Sequence, residues 1–387
     1  MKIAKSVNRL GTEAVYNIFA KTKKLAQQGK KIIDLSLGQS DFKSPKHAVD
    51  ATIRALKDGH HGYTLPNGVI ECREAVSRKI KSLYNANISP ERIVIMPGGK
   101  PTMHYAISFF GEPSAEIIYP DPGFPIYESM INYTGAKAVP FNLTENKDFS
   151  INPDKILSLI NENTRLLILN NPNNPTGSFN EKTVIDKLAK GLINFPHVTI
   201  LSDEIYDRLI FDKKEIPTLF NYPDLYDRLI VLNGWSKTYA MTGWRLGWGV
   251  WPEQLIEHVF KFCVNNHSCV NTAAQYGAIA ALDGPEDHLH DMMGEFTIRR
   301  KLIVDGLRSL KGVECSLPGG SFFVFPSVKG TGMNGEEFTN KCLQEAGVAI
   351  IAGTAFGKFA TANVRFNFAT SRENISKAIE KIDKILK

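Results

Sequence analysis

Three apolar runs in this sequence end in polar residues that packing alone would not select. RLLILN leads into Asn170-Asn171-Pro172-Asn173-Asn174-Pro175-Thr176-Gly177, VTIL into Ser202-Asp203-Glu204-Ile205-Tyr206, and LIVLNG into Trp235-Ser236-Lys237-Thr238. Singly, each has an ordinary reading: an Asn-Pro-rich turn, an Asp that caps a helix, a solvated Lys. Together, Asn174, Asp203, Tyr206 and Lys237 describe one site. A lysine in a buried cleft forms a Schiff base with a carbonyl once burial or a positive neighbour lowers its pKa. A carboxylate such as Asp203 keeps a pyridinium nitrogen protonated, which makes the ring an electron sink, while Tyr206 and Asn174 can donate to a phenolate oxygen on that ring. Such chemistry belongs to pyridoxal phosphate.

A phosphate needs donors of its own. The run ERIVIM is followed by Pro97-Gly98-Gly99-Lys100 and a helix-like PTMHYAISFF, and glycines ahead of a helix let N–H groups and the positive end of its dipole approach an anion. Eight residues beyond Lys237 stands Arg245, whose guanidinium can hold a phosphate bidentately. A second guanidinium, Arg365, lies among Val364, Phe366 and Phe368 in a strand pattern, where it needs an anionic partner. A substrate α-carboxylate is the favoured partner, and an ion pair with a nearby Asp or Glu is the alternative.

The elements that must position these residues are legible. Apolar runs of strand length (ERIVIM, EIIYP, AVPFN, RLLILN, VTILSD, RLIVLN, GWGVW) alternate with helix-like segments. The runs are continuous, as in strands buried on both faces of a largely parallel sheet, so the fold class is α/β. Ligand sites in such sheets lie beyond the carboxyl ends of the strands, where the polar residues fall. Ahead of them, Val15, Ile18, Phe19, Thr22, Leu25 and Ala26 repeat at helical spacing over residues 13–26. After residue 285 the texture changes to a charged helix over Asp287–Leu310, short strands around VECSLPGGSFFVFP, VAIIAG and NVRFNF, and a terminal helix. That last helix carries a capping box of Thr370 with Glu373 and the stripe Ile375, Ala378, Ile379, Ile382 and Leu386. A second, smaller α+β domain is expected there.

Composition narrows the class of function. The chain has 387 residues, 43% hydrophobic and 22% charged, enough for a sizeable core without staples. A net charge of +6 is spread along the chain, so no concentrated basic stripe points to nucleic acid. The five cysteines form no C-x-x-C pair and read as reduced core thiols. His60 with His61 and His288 with His290 lack further ligands and read as surface histidines, so no metal is expected. No run approaches a membrane span and the start lacks an apolar leader, so a cytoplasmic chain is the expectation. Neither a Walker A sequence nor a strand-linked G-x-G-x-x-G occurs.

NNPNNPTG, SDEIYDRLIFD, SKTYAMTGWRLGW and NVRFNFA, with GYTLPNGVIECREAV and PDPGFPIYESM, resemble in order and spacing the fold-type I pyridoxal-phosphate enzymes. Within them the chain is similar to the class I/II aminotransferases, those like aspartate aminotransferase included. The resemblance spans essentially the whole chain. It implies that Lys237 holds the cofactor as a Schiff base and acts as general acid/base, and that Asp203 pairs with the pyridinium. Asn174 and Tyr206 would bind the ring oxygen, Phe124 would stack on the ring, and Arg245 with the backbone of Gly99 and Lys100 would hold the phosphate. Gly234 replaces a Ser or Thr that often touches phosphate, so Ser236 is the substitute. Arg365 and the backbone of Gly38 would meet the substrate carboxylate. Tyr63 would reach the phosphate of a neighbouring subunit, which implies a homodimer with shared active sites. A large domain over residues 46–284 and a small one from 1–45 with 285–387 are implied too.

The expected reaction is a ping-pong transfer of the amino group of an L-amino acid to a 2-oxo acid such as 2-oxoglutarate. The Gly-Gly-Lys sequence resembles members active on acidic amino acids, with Lys100 near a distal carboxylate; the other reading of Lys100 is a solvent-facing residue at a helix start. Aspartate, or another acidic or aromatic donor, is the expectation. Glu13, Tyr16, Lys100 and residues 266–269 are candidates for the side-chain pocket. The nearest rival is a lyase, replacement or cyclising enzyme built on the same site. A non-catalytic ligand sensor is the remote one, disfavoured by intact Lys237 and Asp203.

Overall fold

A computed structural model describes the protein apart from Gln28, Glu145, Lys147 and residues 213–216, and apart from the side chains of residues 14–17, 19, 23 and 26. The expectations for Val15, Tyr16, Phe19 and Ala26 lie outside the described residues.

In chain order, the first half contains α1 (Ala14–Gln27), β1 (Ile33–Asp34), α2 (Lys46–Lys57), α3 (Ile70–Tyr84), β2 (Ile93–Met96), α4 (Lys100–Phe110), β3 (Glu116–Asp121), α5 (Ile126–Thr134), β4 (Lys137–Asn142), α6 (Pro153–Ser158) and β5 (Thr164–Asn170). Then come α7 (Lys182–Leu192), β6 (Thr199–Asp203), β7 (Leu229–Gly234), β8 (Gly247–Val250), α8 (Ile256–Asn266), α9 (Thr272–Asp283) and α10 (Asp287–Ser309). The chain closes with β9 (Phe323–Val324), α11 (Gly335–Lys341), β10 (Val348–Ala349), β11 (Ile351–Ala352), β12 (Val364–Asn367) and α12 (Arg372–Leu386).

The seven expected apolar runs are β2 to β8, and they form one sheet in the order β2-β8-β7-β6-β5-β3-β4. Only β8 runs antiparallel to its neighbours. Every residue of β2, β6, β7 and β8 is buried, because apolar clusters cover both faces; that two-sided burial is why the runs do not alternate. A separate cluster joins α10 and α12 to Leu35, Tyr206 and the Phe322–Val324 segment. Its strands are short. The run VAIIAG divides: β10 pairs in parallel with β1, whereas β11 pairs antiparallel with β12, which then pairs with β9. Near the start of the chain, Arg9 donates to the carbonyls of Asn132 and Tyr133 at the end of α5.

The terminal helix differs from expectation at its cap. Ser371, not Thr370, is the N-cap, its Oγ accepting from Asn374 N at 3.1 Å. Thr370 instead accepts from the Asn374 side chain, and Glu373 pairs with Lys377. The backbone turns helical one residue later than the Thr-x-x-Glu pattern predicts, so the hydroxyl that reaches the third amide is that of Ser371. The stripe is as spaced: Ile375, Ala378 and Ile382 are buried, with Ile379 and Leu386 partly so. Cys72, Cys263, Cys315 and Cys342 are buried free thiols. Among the described residues, no helix is long and apolar enough to cross a membrane.

Candidate active site

The carboxyl ends of β5, β6 and β7 open into a cavity of about 460 Å³. Lys237, just beyond β7, lies in it with Asp203, Tyr206 and Asn174. Gly38, Gly99, Lys100, Phe124, Ser236, Arg245 and Arg365 line it as well. Tyr63 stands apart from it, 93% exposed in the single chain.

Lys237 Nζ donates to Gly38 O at 2.6 Å and lies 5.8 Å and 5.6 Å from the ring centres of Tyr206 and Phe322. Burial, then the positive charges of Arg365 and Arg245, push its pKa down to about 8, with Glu13 acting the other way. A useful fraction is therefore an unprotonated nucleophile near neutral pH. Asp203 is buried, which lifts its carboxyl to about 6 against the opposing bonds from Tyr127 and Ile205 N. Tyr127 donates to its Oδ2 at 2.6 Å and Ile205 N to its Oδ1 at 3.2 Å, so the carboxylate is held by neutral donors and forms no ion pair among the described residues.

Two asparagines lock the loop after β5 onto β6. Asn170 Nδ2 donates to Asp203 O at 3.0 Å, while its Oδ1 accepts from Asn174 N at 2.9 Å. Neither Asn170 nor Tyr127 was among the residues selected from sequence. For Tyr127 the only signal was its place in FPIYES; for Asn170 it was the polar end of a buried strand.

The anion-binding corner is built by backbone. Gly98 has φ +91°, and a Cβ there would lie 2.2 Å from Arg245 Nη2. A Cβ on Gly247 of β8 would lie 2.4 Å from the Gly98 carbonyl carbon, so the turn seats directly on the strand. Gly99 is the N-cap of α4, Lys100 its first residue and Pro101 follows without an N–H. Arg245, itself at φ 55°, anchors Nη1 on Thr242 O at 2.9 Å and remains exposed at the rim. Its apolar sequence neighbours do not bury it.

Arg365 comes from β12, in the small antiparallel sheet, and is 3% exposed. It donates to Asn174 Oδ1 at 2.8 Å and to Ser36 O at 2.6 Å, with the rings of Phe323 and Phe356 beside it at 4.3 Å and 4.7 Å. Its Nε has no partner, and no carboxylate of the described residues is within ion-pair distance. Burial lowers its pKa to about 10. The alternative of a structural ion pair is thus not what the described residues form.

Lys100 pairs with Glu13 and stands 5.4 Å from the Phe124 ring centre. Residues 266–269 are not in the lining: Asn266 Nδ2 donates instead to Tyr105 OH at 2.9 Å, because α8 packs on the outer face of α4.

These residues fit a phosphorylated pyridine aldehyde: an amine of lowered pKa, a buried carboxylate, an aromatic face, and a glycine turn beside a guanidinium that no carboxylate of the described residues neutralises.

The chain is also similar to known proteins. The family model for aminotransferase class I and II matches residues 30–382. The chain is 36% identical over 359 residues to a probable aspartate aminotransferase of Methanocaldococcus jannaschii, covering 91% of this chain and 93% of that one. It is 35% identical over 387 residues to an aspartate aminotransferase of Pyrococcus horikoshii, covering 99% and 97%. A solved aspartate aminotransferase from Rhizobium meliloti superposes with a TM-score of 0.95 at 28% identity, over 100% of this chain and 99% of that one.

Proposed function

The chain belongs to the aminotransferase class I and II family, and from that premise we propose that the cavity at the ends of β5 to β7 is its transamination site, with aspartate as amino donor and 2-oxoglutarate as acceptor. One observation carries the reading. Arg365 is a buried guanidinium with no carboxylate partner among the described residues, in the same cavity as an amine whose pKa is pushed down to about 8. Burying an unpaired cation is expensive unless a ligand supplies the anion.

Pyridoxal phosphate, when bound, would supply the carbonyl and the electron sink. Lys237 would hold it, and its Nζ would afterwards carry the proton between two carbons, a task suited to an amine whose pKa lies near the working pH. Asp203 would face the ring nitrogen and Tyr127 would hold Asp203 in place. Asn174 has Oδ1 committed to Arg365, so its amide hydrogens are left for the ring oxygen, which Tyr206 would share. Phe124 would cover the ring. The Gly99 and Lys100 amides, Ser236 and Arg245 would take the phosphate, aided by the positive end of α4. Arg365 and Gly38 would seat the α-carboxylate.

We also propose a cytoplasmic homodimer in which Tyr63 crosses to the partner's phosphate. The exposure of Tyr63, and of the apolar Ile53, Leu56 and Leu65, at 93%, 47%, 52% and 59%, supports this. A small domain of residues 1–45 and 285–387 against a large one of 46–284 is supported by the β1–β10 pairing.

The test is a single half-reaction. Protein saturated with pyridoxal phosphate is mixed with one amino acid at a time and no acceptor. Aspartate should yield about one equivalent of its 2-oxo acid per site. If neutral donors react and aspartate does not, the donor assignment is wrong; release of ammonia instead of a retained amino group would sink the transamination site itself.

A further inference from the structure

An ion pair stands in the wall of the candidate substrate cavity. Glu13, in the residue just before α1, contacts Lys100 at the first position of α4. Glu13 is largely covered, 13% exposed as a side chain, against 46% for Lys100. Both line the cavity that holds Lys237 and Arg365, together with the apolar Leu37, Met103, Phe124 and Ile205. The lysine has no local reason to be there: an ammonium at a helix start opposes the helix dipole, and the pair links residues 87 apart in sequence.

We propose that the Glu13–Lys100 pair is a two-position selector of substrate side chains, and that Glu13 sets the specificity by holding Lys100 neutralised until a dicarboxylic substrate displaces it. With the pair closed, the pocket offers an apolar wall and a compensated charge, which suits a neutral or aromatic side chain. With the pair parted, Lys100 receives a distal carboxylate. Two carboxylates on one ammonium repel each other, so the acidic substrate must compete with Glu13, and its affinity is lower than Lys100 alone would give. The charge of Glu13 reaches further into the site, raising the pKa of both Lys237 and Arg365. This proposal rests on the transamination reading and adds the rule by which the site chooses.

The experiment compares the cofactor-loaded wild type with Glu13→Gln, Lys100→Gln and the double variant, with Tm recorded for each. Two readouts are taken: the ratio of kcat/KM for aspartate over a neutral amino acid, and the Kd ratio of an unreactive dicarboxylate (maleate) over a monocarboxylate (isovalerate). Glu13→Gln should raise the preference for the dicarboxylic ligand about tenfold in both ratios, and Lys100→Gln should lower it by about as much. In the double variant the Glu13 effect should vanish. Should Glu13→Gln fold poorly, Lys100→Gln still decides whether this lysine reads the distal carboxylate. Ratios that do not move in Glu13→Gln, or that fall, overturn the selector. A wild type that converts no amino acid overturns instead the reading on which it rests.

Discussion

The pKa directions of two side chains make opposite demands on the cofactor-free protein. Asp203 is raised from 3.8 to about 6 by burial, so the folded state binds its proton more tightly than the unfolded chain does. Its contribution is favourable below pH 3.8 and is lost as pH rises through 6. Asp203→Asn should therefore stabilise the cofactor-free protein at pH 7 by up to about 3 kcal/mol, the gain shrinking toward pH 4. Lys237 is lowered from 10.5 to about 8, so its penalty is complete below pH 8 and fades as pH climbs toward 10.5. Lys237→Met should stabilise at pH 7 by about 1–3 kcal/mol and by little at pH 10. Urea unfolding at pH 4.5, 7 and 10 checks both signs. The same substitutions should slow transamination by at least about 10²-fold; faster turnover than that would show that the carboxylate or amine is not the working group. Stability is given up at this site for function.

At the scale of elements, the glycine turn between β2 and α4 has no slack. Gly98→Ala puts a Cβ into Arg245 at a φ of +91°, so the guanidinium must leave the corner. A weakening of pyridoxal phosphate affinity by about tenfold or more is expected. Gly247→Ala pushes backbone against backbone, which no rotamer change relieves. It should lower Tm as well as cofactor affinity, and equal Tm values for the two variants would contradict this assignment. At the other end of the chain, Ser371→Ala should cost about 1 kcal/mol of unfolding free energy and Thr370→Ala clearly less, measured by denaturant midpoints at constant m-value. The sequence pointed to a cap in this dipeptide but chose its first hydroxyl, since only the backbone dihedrals decide which residue stands outside the helix.

For the whole molecule, the site exists because two sheets meet. The seven-stranded sheet presents Asn174, Asp203 and Lys237, and β12 of the small sheet brings Arg365 to Asn174 across 191 residues. Arg365→Lys keeps the charge but cannot bond Asn174 and Ser36 together while receiving a carboxylate. It should raise KM for every amino acid by about tenfold or more, with the pyridoxal phosphate affinity much less affected; equal losses in both would place Arg365 in the cofactor site. Light scattering should give a mass near twice 43.1 kDa. Tyr63→Phe should then loosen the cofactor although Tyr63 lines no part of its own chain's cavity. A monomer that retains full activity would remove the shared site.

What the sequence determined by itself was everything encoded locally. The seven strands are continuous apolar runs, the reactive residues sit where those runs stop, and the glycine turn precedes its helix, so periodicity and punctuation sufficed. The tertiary structure decided what depends on distant partners. VAIIAG looks like one strand and serves two sheets, since its pairing is set by β1 and β12 and not by its own residues. Tyr127 is one aromatic among twelve tyrosines until its hydroxyl is found on Asp203. Glu13 could be named from sequence as a candidate for the side-chain pocket, but its pairing with Lys100 came only from the fold. Contacts between residues far apart in the chain leave no periodic trace in either segment, so only the packed molecule assigns them.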